Sequence, residues 1–328
     1  MNPVSSTPIG SVPMKSIEWL EKPIWQGSAF QLLAGAKGSG KGTYLCSLAA
    51  RVSRAGGNVL FISTEDSIAI DLHPRLVAAG ADLDRCRAIQ QRVKLPEHID
   101  GLRDHALELG GVALFVIDPL ANNIGYSNSN SDAEVRTAIA PLNKLADELN
   151  CLLIGVRHPG KDRSRGALAS VLGSTAWVDT PRAVVMIVAD DENPAVRVIQ
   201  VVAGNRSLNG SAEAFRIDAV DVPGLTEPIT LAVPLGESEK SVERLLATPL
   251  REASKTEKAR ELMLEILETE GEQESDALDA RVVSETGLAL QTVRNMRVKL
   301  GKDGLVKVTP HKDELGQIVR WTVSLVTA

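Results

Sequence analysis

One stretch, LLAGAKGSGKGTYL from Leu32 to Leu45, constrains this chain more than any other. An apolar run closes on Gly35, and glycine recurs at Gly38 and Gly40 before Lys41. Glycines so spaced let successive backbone N–H groups converge on one anion, an approach that side chains would block. Behind the loop, Leu45, Leu48, Ala49 and Val52 recur at helical spacing, and Gly56-Gly57 ends the run. Strand, glycine loop and helix in that order aim a helix N-terminus at phosphate. Further strands alternate with helices along the chain, and that alternation predicts a mostly parallel α/β sheet flanked by helices.

The expected nucleotide cradle is Gly35, Ala36, Lys37, Gly38, Ser39, Gly40, Lys41, Gly42 and Thr43, with ATP and Mg²⁺ as the expected ligands. One residue departs from the usual pattern. The lysine of such loops is followed by Ser or Thr, whose hydroxyl helps hold the metal. Here Gly42 follows Lys41, and Thr43 comes one step late. Two arrangements stay open: Thr43 supports the α-phosphate while Mg²⁺ is held through water and Asp118, or Thr43 reaches the metal itself. The Gly-Lys-Gly-Thr order also resembles adenylate kinases. No Arg-rich lid follows it, the loop starts near residue 35, and the next strand ends in Glu65-Asp66, all of which argue against a small-molecule kinase.

Further along, NVLFISTED, VALFVIDPL and CLLIGVRHPG are apolar runs that end in polar residues, alternating with helical patterns. Their ends supply the chemistry. Glu65 can polarise an attacking water. Asp118 closes an apolar run and can orient Mg²⁺ or its water, and His158 can sense the γ-phosphate. A helix from about Asp132 to Asn150 is expected to kink at Pro141. AVVMIVAD and VRVIQVVAG are expected to be consecutive antiparallel strands.

The 328 residues suit an ordinary α/β domain plus a smaller one. The expected division is a tail over 1–15, an ATPase domain over 16–235, a linker over 236–256 and a second domain over 257–328. Net charge is −6, so contact with nucleic acid must come from local patches or an assembled surface. Cys46, Cys86 and Cys151 form no close pair, the N-terminal residues lack the apolar core of a secretory signal, and no run reaches membrane-spanning length. A cytoplasmic protein without a membrane partner is expected. The last domain reads as three helices and a β-hairpin, the order of a winged helix-turn-helix. Gln291, Arg294, Asn295 and Arg297 share one side of its third helix, a pattern suited to duplex DNA. The acidic residues of that domain leave a protein-interaction role equally open.

Taken together, GAKGSGKGT, LFISTED, ALFVIDPL, IGVRHPGK and GSTAWVDTPRA resemble the RecA-like ATPases of the replicative-helicase branch, in particular RepA-type plasmid helicases and similar phage and integrated-element ATPases. The resemblance spans about residues 17 to 205. It implies a homo-oligomeric ring, commonly a hexamer, with ATP at subunit junctions and an arginine contributed by the neighbour. Arg206 and Arg182 are the two candidates for that arginine. It also implies that Lys161, Arg163 and Arg165 face a central channel and track the backbone of single-stranded DNA. Two functions follow: a DNA-dependent ATPase of helicase or translocase type, or an ATP-switched replication initiator or helicase loader with slow hydrolysis.

Overall fold

A computed structural model describes residues 6–125, 131–158, 175–204, 212–247, 255–313 and 316–326. The chain divides into two compact units, Met1–Thr248 and Pro249–Ala328.

The first unit opens with a short hairpin of β1 (Trp19–Glu21) and β2 (Trp25–Gln26), then enters its main sheet at β3 (Ala29–Ala34). Every residue of β3 is buried, as expected of a central strand covered on both faces. Phe30, Leu32 and Ala34 face one core and Leu33 faces the other. Gln31 tolerates burial because its side chain donates to the Ile24 carbonyl at 3.0 Å and accepts from the Gln26 N–H at 2.8 Å. The chain continues through α1 (Lys41–Arg54), β4 (Val59–Ser63), α2 (His73–Ala78), β5 (Cys86–Ile89), α3 (Ile99–Glu108) and β6 (Leu114–Asp118). Helices α4 (Asp132–Ile139) and α5 (Pro141–Glu148) lead to β7 (Leu152–Arg157), followed by β8 (Ala183–Ala189), β9 (Val196–Gly204), β10 (Ala212–Val220) and β11 (Ile229–Ser238).

These nine strands lie in the order β11-β10-β9-β8-β3-β7-β6-β4-β5. The six from β8 to β5 run parallel, and β9, β10 and β11 extend the β8 edge antiparallel. This is the mostly parallel α/β class that the alternation of strands and helices called for. Strand β7 separates β3 from β6, so the loop and Asp118 emerge from the same end of the sheet one strand apart.

Three features differ from the sequence reading. Pro141 opens a new helix at its first position, where the missing N–H costs nothing, so the expected kinked helix is two helices. Strands β5, β10 and β11 carry charges or Pro within them and show no clean alternation. Pro234 is accommodated because β11 is an edge strand with a bulge in its pairing to β10. The expected linker also starts too early. Strand β11 runs to Ser238, and a helix, Val242–Ala247, buries Val242 and Leu245 completely in the main core. Lys240 belongs to the same fold: its ammonium lies 3.0 Å from Asp190, 2.7 Å from Asp191 and 3.0 Å from Glu192. What reads as a charged linker is a strap held by a three-acid turn.

Among the described residues, the second unit holds three helices, Lys255–Glu270, Ser275–Thr286 and Leu290–Lys302. They surround a core that includes Met263, Leu278, Val293 and Val323. Gly287 ends the second helix at φ 66°, a left-handed cap that glycine adopts freely. Strands β12 (Gln273–Glu274), β13 (Val306–Lys312) and β14 (Ile318–Leu325) form an antiparallel sheet in the order β12-β14-β13. Among the described residues, no helix is long and apolar enough to cross a membrane.

Candidate active site

The loop between β3 and α1 is shaped by what its glycines permit. Gly38 and Gly40 hold φ of 78° and 88°, in the left-handed region. A side-chain carbon at Gly35 would come within 2.7 Å of Ser39 Oγ and 2.8 Å of the Ile187 carbonyl. Ser39 Oγ is buried with no hydrogen-bond partner among the described residues. Such an orphan, at the mouth of a helix N-terminus, fits a ligand that brings its own oxygens.

Lys41 opens α1 and is buried. Its ammonium donates to the carbonyls of Gly35 at 2.7 Å and Ala36 at 3.0 Å, and lies 3.3 Å from His158 Nδ1. Burial pulls its pKa down to about 8, while the carboxylates of Asp118 and Glu65 push the other way. Asp118, at the end of β6, moves in the opposite sense. Burial lifts its carboxyl to about 6, the neighbouring Asp66 carboxylate adds to the rise, and Lys41 opposes it. A cation brought beside Asp118 would relieve both destabilising causes.

Ser63 of β4 pairs with Asp118 of β6, which puts Glu65 two residues beyond the strand end on the pocket's rim. His158 Nε2 lies 3.4 Å from Glu65 Oε2, so the imidazole bridges Lys41 and Glu65. Asn122 approaches Glu65 Oε1 at 3.5 Å. The cavity holding these groups measures about 510 Å³ and includes Lys37, Gly38, Gly40, Gly42 and Thr43. That volume suits a nucleotide, and the glycine cradle, buried lysine and carboxylate pair suit its phosphates with a divalent metal.

Sequence reasoning missed other walls of the cavity. Arg75 lies beside Gly42 and pairs with Asp66 at 2.6 Å and Asp71 at 3.2 Å. No sequence spacing announces that approach, because α2 reaches α1 only through tertiary packing. Arg197, Ile217 and Thr230 come from β9, β10 and β11, and the last two of these strands carry no clear sequence pattern. Ile217 covers Gly40, and Thr43 Oγ1 lies 2.8 Å from Thr230 Oγ1. The Thr43 hydroxyl therefore has a protein partner, which neither arrangement expected from the sequence included.

The remaining candidates are dispersed. Arg182 is exposed at the start of β8, at the sheet end opposite the loop. Five residues separate it from Ile187 beside Gly35, about 16 Å at the rise of a strand. Arg206, Lys161, Arg163 and Arg165 lie outside the described residues. In the second unit, Gln291 donates to Asn295 at 3.0 Å, and Arg294 pairs with Asp276 at 3.2 Å while staying partly exposed. Arg297 is the most engaged of the four. Its guanidinium makes a two-pronged contact with Asp279 at 3.0 and 2.9 Å, and Asp279 is fully buried. That pairing satisfies a buried carboxylate.

Residues 7–164, which contain the loop, Glu65, Asp118 and His158, match the family model described as AAA domain. No curated protein matches the chain. Among the similar solved structures are two with a TM-score of 0.49. "ATPase Domain of G40P" is 14% identical, with 58% of this chain and 81% of that one covered. "The Structure Of A DnaB-Like Replicative Helicase And Its Interactions With Primase" is 13% identical, covering 62% of this chain and 58% of that one.

Proposed function

We propose that this chain, a RecA-like P-loop ATPase, hydrolyses ATP in a DNA-dependent manner as a ring-forming helicase or translocase of a mobile element. One observation carries the reading: Lys41, Glu65, Asp118 and His158, from four different segments, converge on one cavity at the mouth of the glycine loop. In this reading the loop N–H groups and Lys41 hold the β- and γ-phosphates. Asp118 holds Mg²⁺, directly or through its water, and the metal supplies charge neutralisation on the phosphates. Glu65, half-exposed on the rim, orients and deprotonates the attacking water. His158 touches both Lys41 and Glu65, so it can relay phosphate occupancy to the base.

The motif resemblance supports the assembly. A ring would place the open face of this cavity at a subunit junction, with Arg206 or Arg182 entering from the neighbour. Arg182 is too far from its own loop to act in cis. Lys161, Arg163 and Arg165 would line the channel and neutralise the phosphates of single-stranded DNA. The second unit, with three helices and a hairpin, is read as winged-helix-like. Its third helix keeps Gln291, Arg294 and Asn295 for duplex DNA or a protein partner. A cytoplasmic setting fits this function.

The missing hydroxyl at Gly42 favours a second reading, an ATP-switched replication initiator or helicase loader with slow turnover. Hydrolysis measured alone, with single-stranded DNA and with duplex DNA separates them. A severalfold stimulation by single strands is expected. Slow hydrolysis indifferent to single strands would select the switch instead.

A further inference from the structure

We infer that Asp66 supplies the metal-binding oxygen that the loop lacks at Gly42, an assignment that rests on the nucleotide-site reading above. The argument begins with the space beside the glycine. A side-chain carbon built on Gly42 would lie 3.5 Å from Asp66 Oδ2 and 3.3 Å from Arg75 Nη1. The volume that a serine or threonine would enter at this position is thus bordered by a carboxylate oxygen and its guanidinium partner. In the usual loop that side chain carries a neutral oxygen to the metal. Here an anionic oxygen from another segment borders that volume.

The fold presents Asp66 deliberately. Strand β4 ends at Ser63, whose hydroxyl donates to the Asp66 carbonyl at 3.2 Å and turns the chain back towards α1. Arg75 then fixes the carboxylate at 2.6 Å. Arg75 has a second acid, Asp71, at 3.2 Å, so it remains paired when Asp66 engages a cation. Thr43 is the alternative oxygen, but its hydroxyl is buried against Thr230 at 2.8 Å. Asp66 and Asp118 line the same cavity from neighbouring strand ends. Two carboxylates with substrate phosphates and water form a ligand set that Mg²⁺ accepts readily. Glycine at 42 is the complement of this arrangement, since any side chain there would press on Arg75.

The test uses the full chain with Mn²⁺ as the metal probe. Mn²⁺ binding to the complex with a non-hydrolysable ATP analogue is followed by electron paramagnetic resonance. Affinity for a fluorescent ATP analogue is measured separately in EDTA. Asp66→Asn should weaken Mn²⁺ binding about tenfold or more, while the EDTA affinity shifts far less. Adding Gly42→Ser to that variant should recover most of the loss by returning a hydroxyl to the loop. Wild-type Mn²⁺ affinity in Asp66→Asn overturns the assignment. So does an equal loss in EDTA, or a double variant that recovers nothing. A wild-type chain that binds the analogue in neither condition would instead remove the nucleotide-site reading itself.

Discussion

Lys41 is the residue whose chemistry is most tightly fixed by its surroundings. Its ammonium is buried, and its pKa of about 8 lies below the ordinary lysine value. A depressed lysine makes the charged form costly to the fold at low pH. That cost is relieved as pH rises from about 8 towards the unfolded value, so stability contributed here increases across that window. Nucleotide binding has the opposite sign. Phosphates favour the charged lysine, so the complex takes up protons above pH 8 and affinity falls as pH rises past it. Calorimetry in two buffers of different ionisation enthalpy at pH 8.5 should show proton uptake, and Lys41→Ala should abolish it. The same substitution should cost ~2–3 kcal/mol of nucleotide affinity, the worth of hydrogen bonds to a charged group. Glu65→Gln should bind ATP and lose about 10²- to 10⁴-fold in turnover. Normal turnover in that variant would remove Glu65 as the base.

At the scale of elements, the parallel strands were legible because their interiors are continuously apolar and their ends are polar. The glycine loop, Glu65, Asp118 and His158 were found by that signature, and the structure brings all of them to one cavity. Of the antiparallel strands, β9 was legible and β10 and β11 were not, because Glu213, Arg216 and Asp218 in β10 and Pro234 in β11 break the pattern. With them went Ile217 and Thr230 as walls of the site. Arg75 was invisible for a different reason: its partner Asp66 lies nine residues away across an irregular turn. The helix Val242–Ala247 was lost to the charges around it, yet Leu245 is fully buried in the main core. Leu245→Ala should therefore destabilise the first unit by ~2–5 kcal/mol. Urea unfolding checks this, and a change below ~0.5 kcal/mol, as expected of a surface site, would restore the linker reading.

For the whole molecule, the two units have separate cores. Ending the chain at Thr248 should leave a cooperatively folding ATPase unit. Ending it at Pro234, near the boundary read from the sequence, should not, since the second half of β11 and the buried helix are then lost. Thermal unfolding of the two truncations distinguishes them. The ring proposal has its own test at this scale. Arg206→Ala chains mixed with wild type should depress hydrolysis more than simple dilution, because each junction borrows one arginine. Strictly proportional loss would remove the shared site.

The contact between Thr43 and Thr230 spans 187 residues. On the ribosome, the glycine loop is synthesised early and its far wall late. A nascent chain stopped before Ile229 carries Lys41 and Asp118 but neither Thr230 nor the strand that holds it. The far wall of the cavity is therefore in place only when the first unit is nearly complete.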